Sequence, residues 1–315
     1  MTHDIHRILL TGGAGYIGSV LVRQMLEQGH HVTVLDNFVA QPSGLLDCCA
    51  FPNFDVVRGD ARDERLVPEL VRKHDTIIPL AALVGSRICD IEPIAAESTM
   101  SRGIKLLLDH ASPSQRFLYP ATNSGYGVGK GDEPCTEESP LSPVSLYGRL
   151  KVEGEERILA HANGLAFRLA TVFGVSPRMR RDLLVNDYVY RAVHDGTVVF
   201  FEGHRRRNFI HIRDVGRAFL HGLEHFETMK GRAYNVGLDD ANLTRPQVCE
   251  AIRRHVPSFV YIEAPSGHDP DLRDCVVSSA RIASTGFRPM CSLDQGIRQL
   301  VKCFTILPRA PYANA

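Results

Sequence analysis

With 315 residues, 44% of them hydrophobic and 23% charged, the chain is long enough to bury a large α/β core. Its 36 Lys and Arg balance 36 Asp and Glu, and this zero net charge speaks against nucleic-acid or membrane-surface binding, which call for a basic excess. No apolar run approaches the ~20 residues of a membrane span, the start is a short polar leader, and no Cys-x-x-Cys pair occurs, so the expectation is a cytoplasmic protein with free thiols and no metal site.

In chain order, residues 7–10 predict a strand that enters Thr11-Gly-Gly-Ala-Gly-Tyr-Ile-Gly18. Residues 19–28 follow as a helix, with Val20, Leu21, Met25 and Leu26 near helical spacing. Gly29 stops it, and 31–35 reads as a second strand ending in Asp36-Asn37, which completes one βαβ unit. Gly12, Gly15 and Gly18 permit a tight turn and close backbone approach. Tyr16 and Ile17 lie in this loop as further cofactor contacts, and the N-terminus of the helix that follows offers free N–H groups to a dinucleotide pyrophosphate. Asp36 is placed to bond the ribose hydroxyls and to repel a 2′-phosphate, which favours NAD over NADP; a strand-end carboxylate can instead cap the next turn.

The alternation continues with a strand over 54–58 ending in Gly59-Asp60, a helix over 64–73 and a buried strand over 76–80. A helix over 97–110 follows, then a strand over 116–119 leading into Pro120-Ala-Thr-Asn-Ser-Gly-Tyr-Gly127. After a Pro- and Gly-rich loop, 145–163 predicts a long helix and 166–172 a sixth strand. Such alternation implies a Rossmann-type, doubly wound parallel sheet covered on both faces. Beyond Gly174 the pattern is irregular, with arginine-rich stretches at 178–181 and 205–207 and helices at 183–195, 215–225 and 245–255. The predicted organisation is a dinucleotide-binding core over 1–174, rejoined by about 208–237, and a smaller discontinuous substrate lobe over 175–207 and 238–315.

Tyr147 and Lys151 stand four apart on the long helix and so share one face. A tyrosine is a poor base near neutrality, and a nearby ammonium together with a positive nicotinamide ring would favour its phenolate. A third hydroxyl is expected after the strand at 116–119, where Thr122 and Ser124 are the candidates.

The Thr-Gly-x-x-Gly-x-x-Gly loop departs from the G-x-G-x-x-G of most dehydrogenases and resembles the extended short-chain dehydrogenase/reductase family, with its nucleotide-sugar epimerases and dehydratases. Asp60-Ala61, Leu80-Ala81-Ala82, Tyr147-x-x-x-Lys151 and Arg207-Asn-Phe-Ile-His-Ile-Arg-Asp214 extend the resemblance over nearly the whole chain. It implies that Asp60 and Ala61 lie at the adenine, that Leu80, Ala81 and Ala82 lie beneath the ribose, and that Val172 also lines the cofactor. Because Thr122 stands four residues before the tyrosine of Tyr126-Gly127, the resemblance selects it as the catalytic hydroxyl, beside Tyr147 as base and Lys151 as its partner on the ribose. Val84, Gly85, Asn123 and Ser124 would face the sugar. Among the arginines at 178, 180, 181, 207 and 273, the family positions make Arg207 and Arg273 the diphosphate ligands, with Arg178 as a further contact and Asn186 as a backbone or phosphate contact.

Family 4,6-dehydratases carry Asp-Glu directly after the catalytic threonine. Here Asn123 and Ser124 occupy those positions and neither can do that proton work, so elimination of water is disfavoured. No cysteine lies between Ala121 and Lys130 to move a carbon-bound proton, although Cys89 and Cys135 stand further off. Oxidation at C4 remains, ending either in a 4-epimerase or in a dehydrogenase that releases the keto sugar. The runs Arg168-Leu-Ala-Thr-Val-Phe-Gly174, Ser176-Pro-Arg-Met-Arg180 and Leu183-Leu-Val-Asn-Asp187 resemble the GDP-heptose C4-oxidising enzymes of surface-polysaccharide pathways. The resemblance also implies a homodimer through the helices at 97–110 and 145–163.

Overall fold

The computed structural model describes residues 4–39, 42–267 and 273–309; the parts of the expected lobes at 1–3, 40–41, 268–272 and 310–315 lie outside the described residues. Twelve strands are formed among these: β1 (Arg7–Thr11), β2 (His31–Asp36), β3 (Phe54–Arg58), β4 (Thr76–Pro79), β5 (Arg116–Thr122), β6 (Gly164–Leu169), β7 (Thr171–Phe173), β8 (Thr197–Phe200), β9 (Arg207–His211), β10 (Ala233–Val236), β11 (Asn242–Leu243) and β12 (Val260–Glu263). Seven of them make one parallel sheet in the order β10-β6-β5-β4-β1-β2-β3. Its central strands are buried end to end, as expected where helices cover both faces.

One face is closed by Leu21 and Met25 of the helix Tyr16–Glu27 and by Phe219 and Leu223 of the helix Ile212–Glu224. On the other lie Val67 and Leu70 of Leu66–Arg72, Ile104 and Leu107 of Gly103–Asp109, and Ile158 of Leu146–Leu159. The carboxyl ends of β1, β2, β4 and β5 therefore open on one edge, where Thr11, Asp36, Pro79 and Thr122 gather. The fold class read from the sequence is the one observed.

Two small sheets, β11-β9-β7 and β12-β8, stand beyond that edge. The strand expected over 166–172 is divided at Ala170: β6 pairs with β5 and β10 in the large sheet, whereas β7 turns to pair with β9. The helix expected over 97–110 begins earlier, at Pro93, and passes through a π-helical turn at Ser98–Arg102. Several helices went unread from the sequence, among them two that bear on the fold. Ser86–Ile91 follows β4 directly, and Leu293–Ile306 is announced by Ser292 and Gln295, which bond each other's backbone in a capping box.

No helix among the described residues is long and apolar enough to cross a membrane, and none of their His, Cys, Asp and Glu form a group able to hold a metal ion. All eight cysteines are free, and five are buried in apolar surroundings.

Candidate active site

The glycine loop is built around backbone contact. Gly12 has φ +74°, and a Cβ there would lie 2.6 Å from the Ala81 nitrogen, so β1 and the loop after β4 can touch only because it is glycine. A Cβ on Gly18 would strike the Gly13 carbonyl at 2.5 Å, which fixes the close entry into the helix. That helix starts at Gly15 with no side-chain cap and no acid in its first turn, so its positive end faces the cleft unanswered. Leu80 donates its N–H to the Thr11 carbonyl at 2.9 Å and Ala81 to the Thr11 hydroxyl at 3.4 Å, which places both directly beside the loop.

Asp36 serves the loop as well as the cleft. Its carboxylate accepts from the Ala14 N–H at 2.9 Å and from the Phe38 N–H at 2.8 Å, so it caps the turn after β2 and still keeps an anion at the strand end. Asn37 accepts from Val39 N–H at 3.2 Å. Asp60 is gripped by Arg62 at 2.8 and 2.5 Å, which holds its carboxyl below the usual range. Ala61 lies next to Gly103, and Val172 packs on the core beside β9. An uncapped helix start, a backbone cradle that Cβ atoms would fill and an acid closing β2 together fit NAD.

Tyr16 does more than open the helix. Its hydroxyl donates to the Gly174 carbonyl at 2.7 Å and accepts from Asn186 Nδ2 at 3.2 Å, which bolts the cofactor helix to the segment after β7. Ser176 adds to the seam by donating to the Tyr16 carbonyl at 2.8 Å and accepting from the Ser19 hydroxyl at 2.9 Å. Of the two contacts expected of Asn186, to backbone or to phosphate, the backbone one is seen here. Asn186 is fully buried; its oxygen accepts from Gly174 N–H at 3.0 Å and its amide donates to the Arg180 carbonyl at 2.8 Å, so its side chain is committed to scaffolding and has no edge left for a phosphate.

The candidate catalytic residues come from two elements. Thr122 ends β5, and its hydroxyl accepts from the Ser124 N–H at 3.1 Å to start the turn Asn123–Tyr126. Ser145 caps the helix Leu146–Leu159, on which Tyr147 is half-buried and Lys151 fully buried. Lys151 Nζ donates to the Pro120 carbonyl at 2.9 Å and sits 4.9 Å from the Tyr119 ring; burial pushes its ammonium down to about 8. Tyr147 is hydrogen-bonded with Thr122. Burial raises its phenol above the ordinary value, and Arg180 and Arg273 oppose that rise. Thr122, Tyr147 and Lys151 are thus brought together.

The arginines occupy distinct settings. Arg180 is paired with Asp182 through Nε at 3.0 Å and through Nη2, and it bears on Tyr147. Arg178 instead lies with its Cβ carbon against Gly44 and donates to the Met179 carbonyl at 3.3 Å, on the glycine-loop side. Arg207 is buried and spans the carbonyls of Arg206 and Arg273, so it braces the segment that carries Arg273. Arg273 Nη1 donates to Ser124 Oγ at 2.6 Å, two hydrogen bonds from Tyr147. Arg206 ties the Gly131 carbonyl and Asp132 to Asp274, a strap across the site that no local sequence signal announces.

Of the residues expected to face a sugar, Gly85 has φ +116° with Arg180 beside it, Val84 is exposed, and Asn123 and Ser124 are buried in the turn. Cys89 packs with Ala82, Leu146 and Tyr147, and burial pushes its thiol up to about 11. Such a thiol is a packing group rather than a proton carrier at neutral pH.

Comparison with known proteins agrees with this geometry. Residues 8–237 match the model of the NAD dependent epimerase/dehydratase family. The low-salt glycan biosynthesis protein Agl12 of Haloferax volcanii is 29% identical, with 93% of this chain and 97% of that protein covered. A dTDP-glucose 4,6-dehydratase of Streptomyces niveus is 30% identical, with 95% and 92% covered. The UDP-glucose 4-epimerase of Thermotoga maritima, solved with UDP-glucose, superposes with a TM-score of 0.82 at 25% identity, over 95% of this chain and 98% of that one. By its glycine cradle, its Thr-Tyr-Lys cluster and this match, the chain belongs to the NAD dependent epimerase/dehydratase family of enzymes.

Proposed function

We propose that the chain oxidises C4 of a nucleotide-diphosphate sugar and returns it inverted, as a nucleotide-sugar 4-epimerase working through a 4-keto sugar. The observation that carries this reading is the turn Thr122-Asn123-Ser124. In the 4,6-dehydratases of the family the last two positions hold carboxyl groups, and here an amide and a hydroxyl stand in their place. The groups near Tyr147 are Arg180, Arg273, Cys89 and Thr122, and no carboxyl group stands among them.

In this reading Tyr147 takes the proton of the C4 hydroxyl while Thr122 holds its phenol in place. NAD, when bound, supplies the oxidising power and a positive ring that favours the phenolate. Lys151, anchored on Pro120, keeps an ammonium under the site. After oxidation the C4 ketone turns within the pocket and is reduced on its opposite face, so Tyr147 gives back the proton that it took. Arg207 and Arg273 orient the diphosphate end. The helices that carry Ser101, Glu153 and Arg157 lie side by side, joined by Ser101 Oγ to Glu153 at 2.9 Å and by Arg157 to the Ser101 carbonyl at 3.3 Å. This paired surface supports a homodimer through them.

The test is to incubate the purified protein with UDP-, GDP-, dTDP- and ADP-sugars, following NADH absorbance beside NMR of the sugar. An inverted C4 centre without lasting NADH is the expected result. Stoichiometric NADH with a free keto sugar would replace this reading with a dehydrogenase, for which the GDP-heptose resemblance is the precedent. Loss of water at C5–C6 would overturn it.

A further inference from the structure

Arg206 joins two segments that meet at the site, and neither belongs to the strand that follows it. Its backbone N–H donates to Asp274 Oδ1 at 2.9 Å and its Nε to the same oxygen at 3.5 Å. Nη2 donates to the Gly131 carbonyl at 2.7 Å, and Nη1 to the Asp132 carboxylate. The first segment, residues 128–135, follows the turn that carries Thr122 and Ser124. The second, residues 273–278, brings Arg273 Nη1 to 2.6 Å from Ser124 Oγ. The two run parallel and are joined near their ends. Gly129 N–H donates to the Asp274 carbonyl at 2.7 Å and Cys135 N–H to the Val276 carbonyl at 2.8 Å. Among the described residues no hydrogen bond joins 130–134 to 274–278, so Arg206 is what ties that arc down. The arc has room to lift: Gly131 has φ +59° with open space around it, and Gly127, at φ +66°, stands where the segment begins. Asp132 is 97% exposed and Arg206 only 20%, which puts the guanidinium beneath the arc. An ion pair so open to water holds weakly and can be released at each turnover.

Resting on the proposed 4-epimerase reading, we propose that Arg206 sets the outcome of the oxidation, as a latch that keeps the keto sugar in the pocket until the hydride returns. Hydride transfer leaves a C4 ketone, NADH and a proton on Tyr147. From that point two rates compete. Reduction on the opposite face regenerates NAD and completes the inversion. Departure of the ketone strands NADH in the site and ends turnover. The ketone carries the same diphosphate as the substrate, so groups that hold that end grip both alike and cannot favour return over escape. A slow exit can, and closing segments supply one. Arg206 acts through the two segments that it joins, as a positioning residue. Taking away its cation leaves Asp132 on one segment and Asp274 on the other, like charges that favour separation.

The experiment compares wild type, Arg206→Gln, Asp132→Asn and the double variant on whichever nucleotide sugar the wild type turns over. The readout is a leak fraction. NADH left in the sites and keto sugar recovered outside the protein, trapped as a deuterated alcohol with borodeuteride, are each divided by the inversions counted by NMR. Arg206→Gln is expected to raise that fraction at least about tenfold, while initial kcat and NAD affinity stay within about threefold of wild type. Asp132→Asn changes only an exposed side chain and should raise the leak in the same direction by less. Added to Arg206→Gln it should have no further effect, because both act on one contact. An Arg206→Gln leak within about twofold of wild type overturns the proposal, even where kcat has fallen, since lost kcat alone marks a structural role. If Arg206→Gln does not fold, Asp132→Asn decides, and an unchanged leak in it overturns the latch. Increases that multiply independently in the double variant overturn the pairing of the two residues. A wild type that releases keto sugar at every turnover, or turns over no nucleotide sugar, removes the 4-epimerase reading and this proposal with it. Inversion by the wild type with a leak indifferent to Arg206 removes the proposal alone.

Discussion

Arg168 on β6 and Glu155 on the helix Leu146–Leu159 meet through three contacts of 2.6 to 3.0 Å, both side chains almost wholly buried. Arg168 also donates to the Tyr126 hydroxyl at 3.0 Å and to the Glu137 carbonyl at 3.2 Å, and Tyr126 in turn donates to Asn235 at 2.7 Å. One guanidinium thus fixes the turn that carries Asn123 and Ser124 to the helix that carries Tyr147. Removing it strands a carboxylate in the core. Arg168→Met should destabilise the fold by about 3–5 kcal/mol, read by denaturant unfolding, and Arg168→Met with Glu155→Leu should recover much of that loss. A single variant as stable as wild type would show the pair to be dispensable.

Tyr147→Phe keeps the ring and deletes the proton acceptor. Turnover should fall by about 100- to 10,000-fold, while NAD binding, measured by titration calorimetry, stays within about twofold. Unchanged turnover would remove Tyr147 from the chemistry.

Gly12→Ala places a methyl 2.6 Å from the Ala81 backbone at φ +74°, a conformation that costs an L-residue about 1–2 kcal/mol before any clash. The Gly12 loop and the strand edge must then separate. The expected outcome is loss of NAD binding by at least about tenfold with the rest of the fold retained, checked by NAD titration beside circular dichroism. Gly29→Ala, at φ +85° with open space around it, is the matched control and should leave NAD affinity unchanged.

His211 is fully buried at the start of the helix Ile212–Glu224, where Nδ1 accepts from the Arg213 N–H at 3.3 Å. Burial pushes its pKa down to about 4, against the pull of Asp214. The unfolded chain therefore binds a proton that the folded one refuses between about pH 6.5 and 4. Its contribution is complete above pH 6.5 and is lost as pH falls through that window, reaching about 3 kcal/mol near pH 4. Wild type should lose that much more stability than His211→Asn, in which a neutral cap is kept, when unfolding at pH 7 is compared with pH 4. Parallel losses would refute it.

What the sequence disclosed was local. The glycine loop, Asp36 and the Tyr147–Lys151 spacing lie within single turns of chain, so the pattern carries the geometry with it. The alternation of apolar runs and helices likewise implied the parallel sheet. The break at Ala170 was hidden because β6 and β7 are one continuous apolar run, and only pairing with β9 separates them. Leu293–Ile306 was legible in principle through its capping box. The contacts Arg273–Ser124 and Arg206–Asp132 had no such trace, since they join positions 149 and 74 residues apart. For the same reason the sequence left Asn186 open between backbone and phosphate: a buried amide consumed by backbone groups has the same sequence signature as one that faces a phosphate.

The seam at Tyr16 bears on how this protein can change. Its backbone opens the helix that faces the pyrophosphate, while its hydroxyl holds Gly174 and Asn186 on the far side. The glycine loop is consequently not a portable module. A loop grafted from another dinucleotide-binding chain without that tyrosine would bring the cofactor fingerprint and forfeit the join, so drift at one end of the cleft is constrained by residues more than 150 positions away.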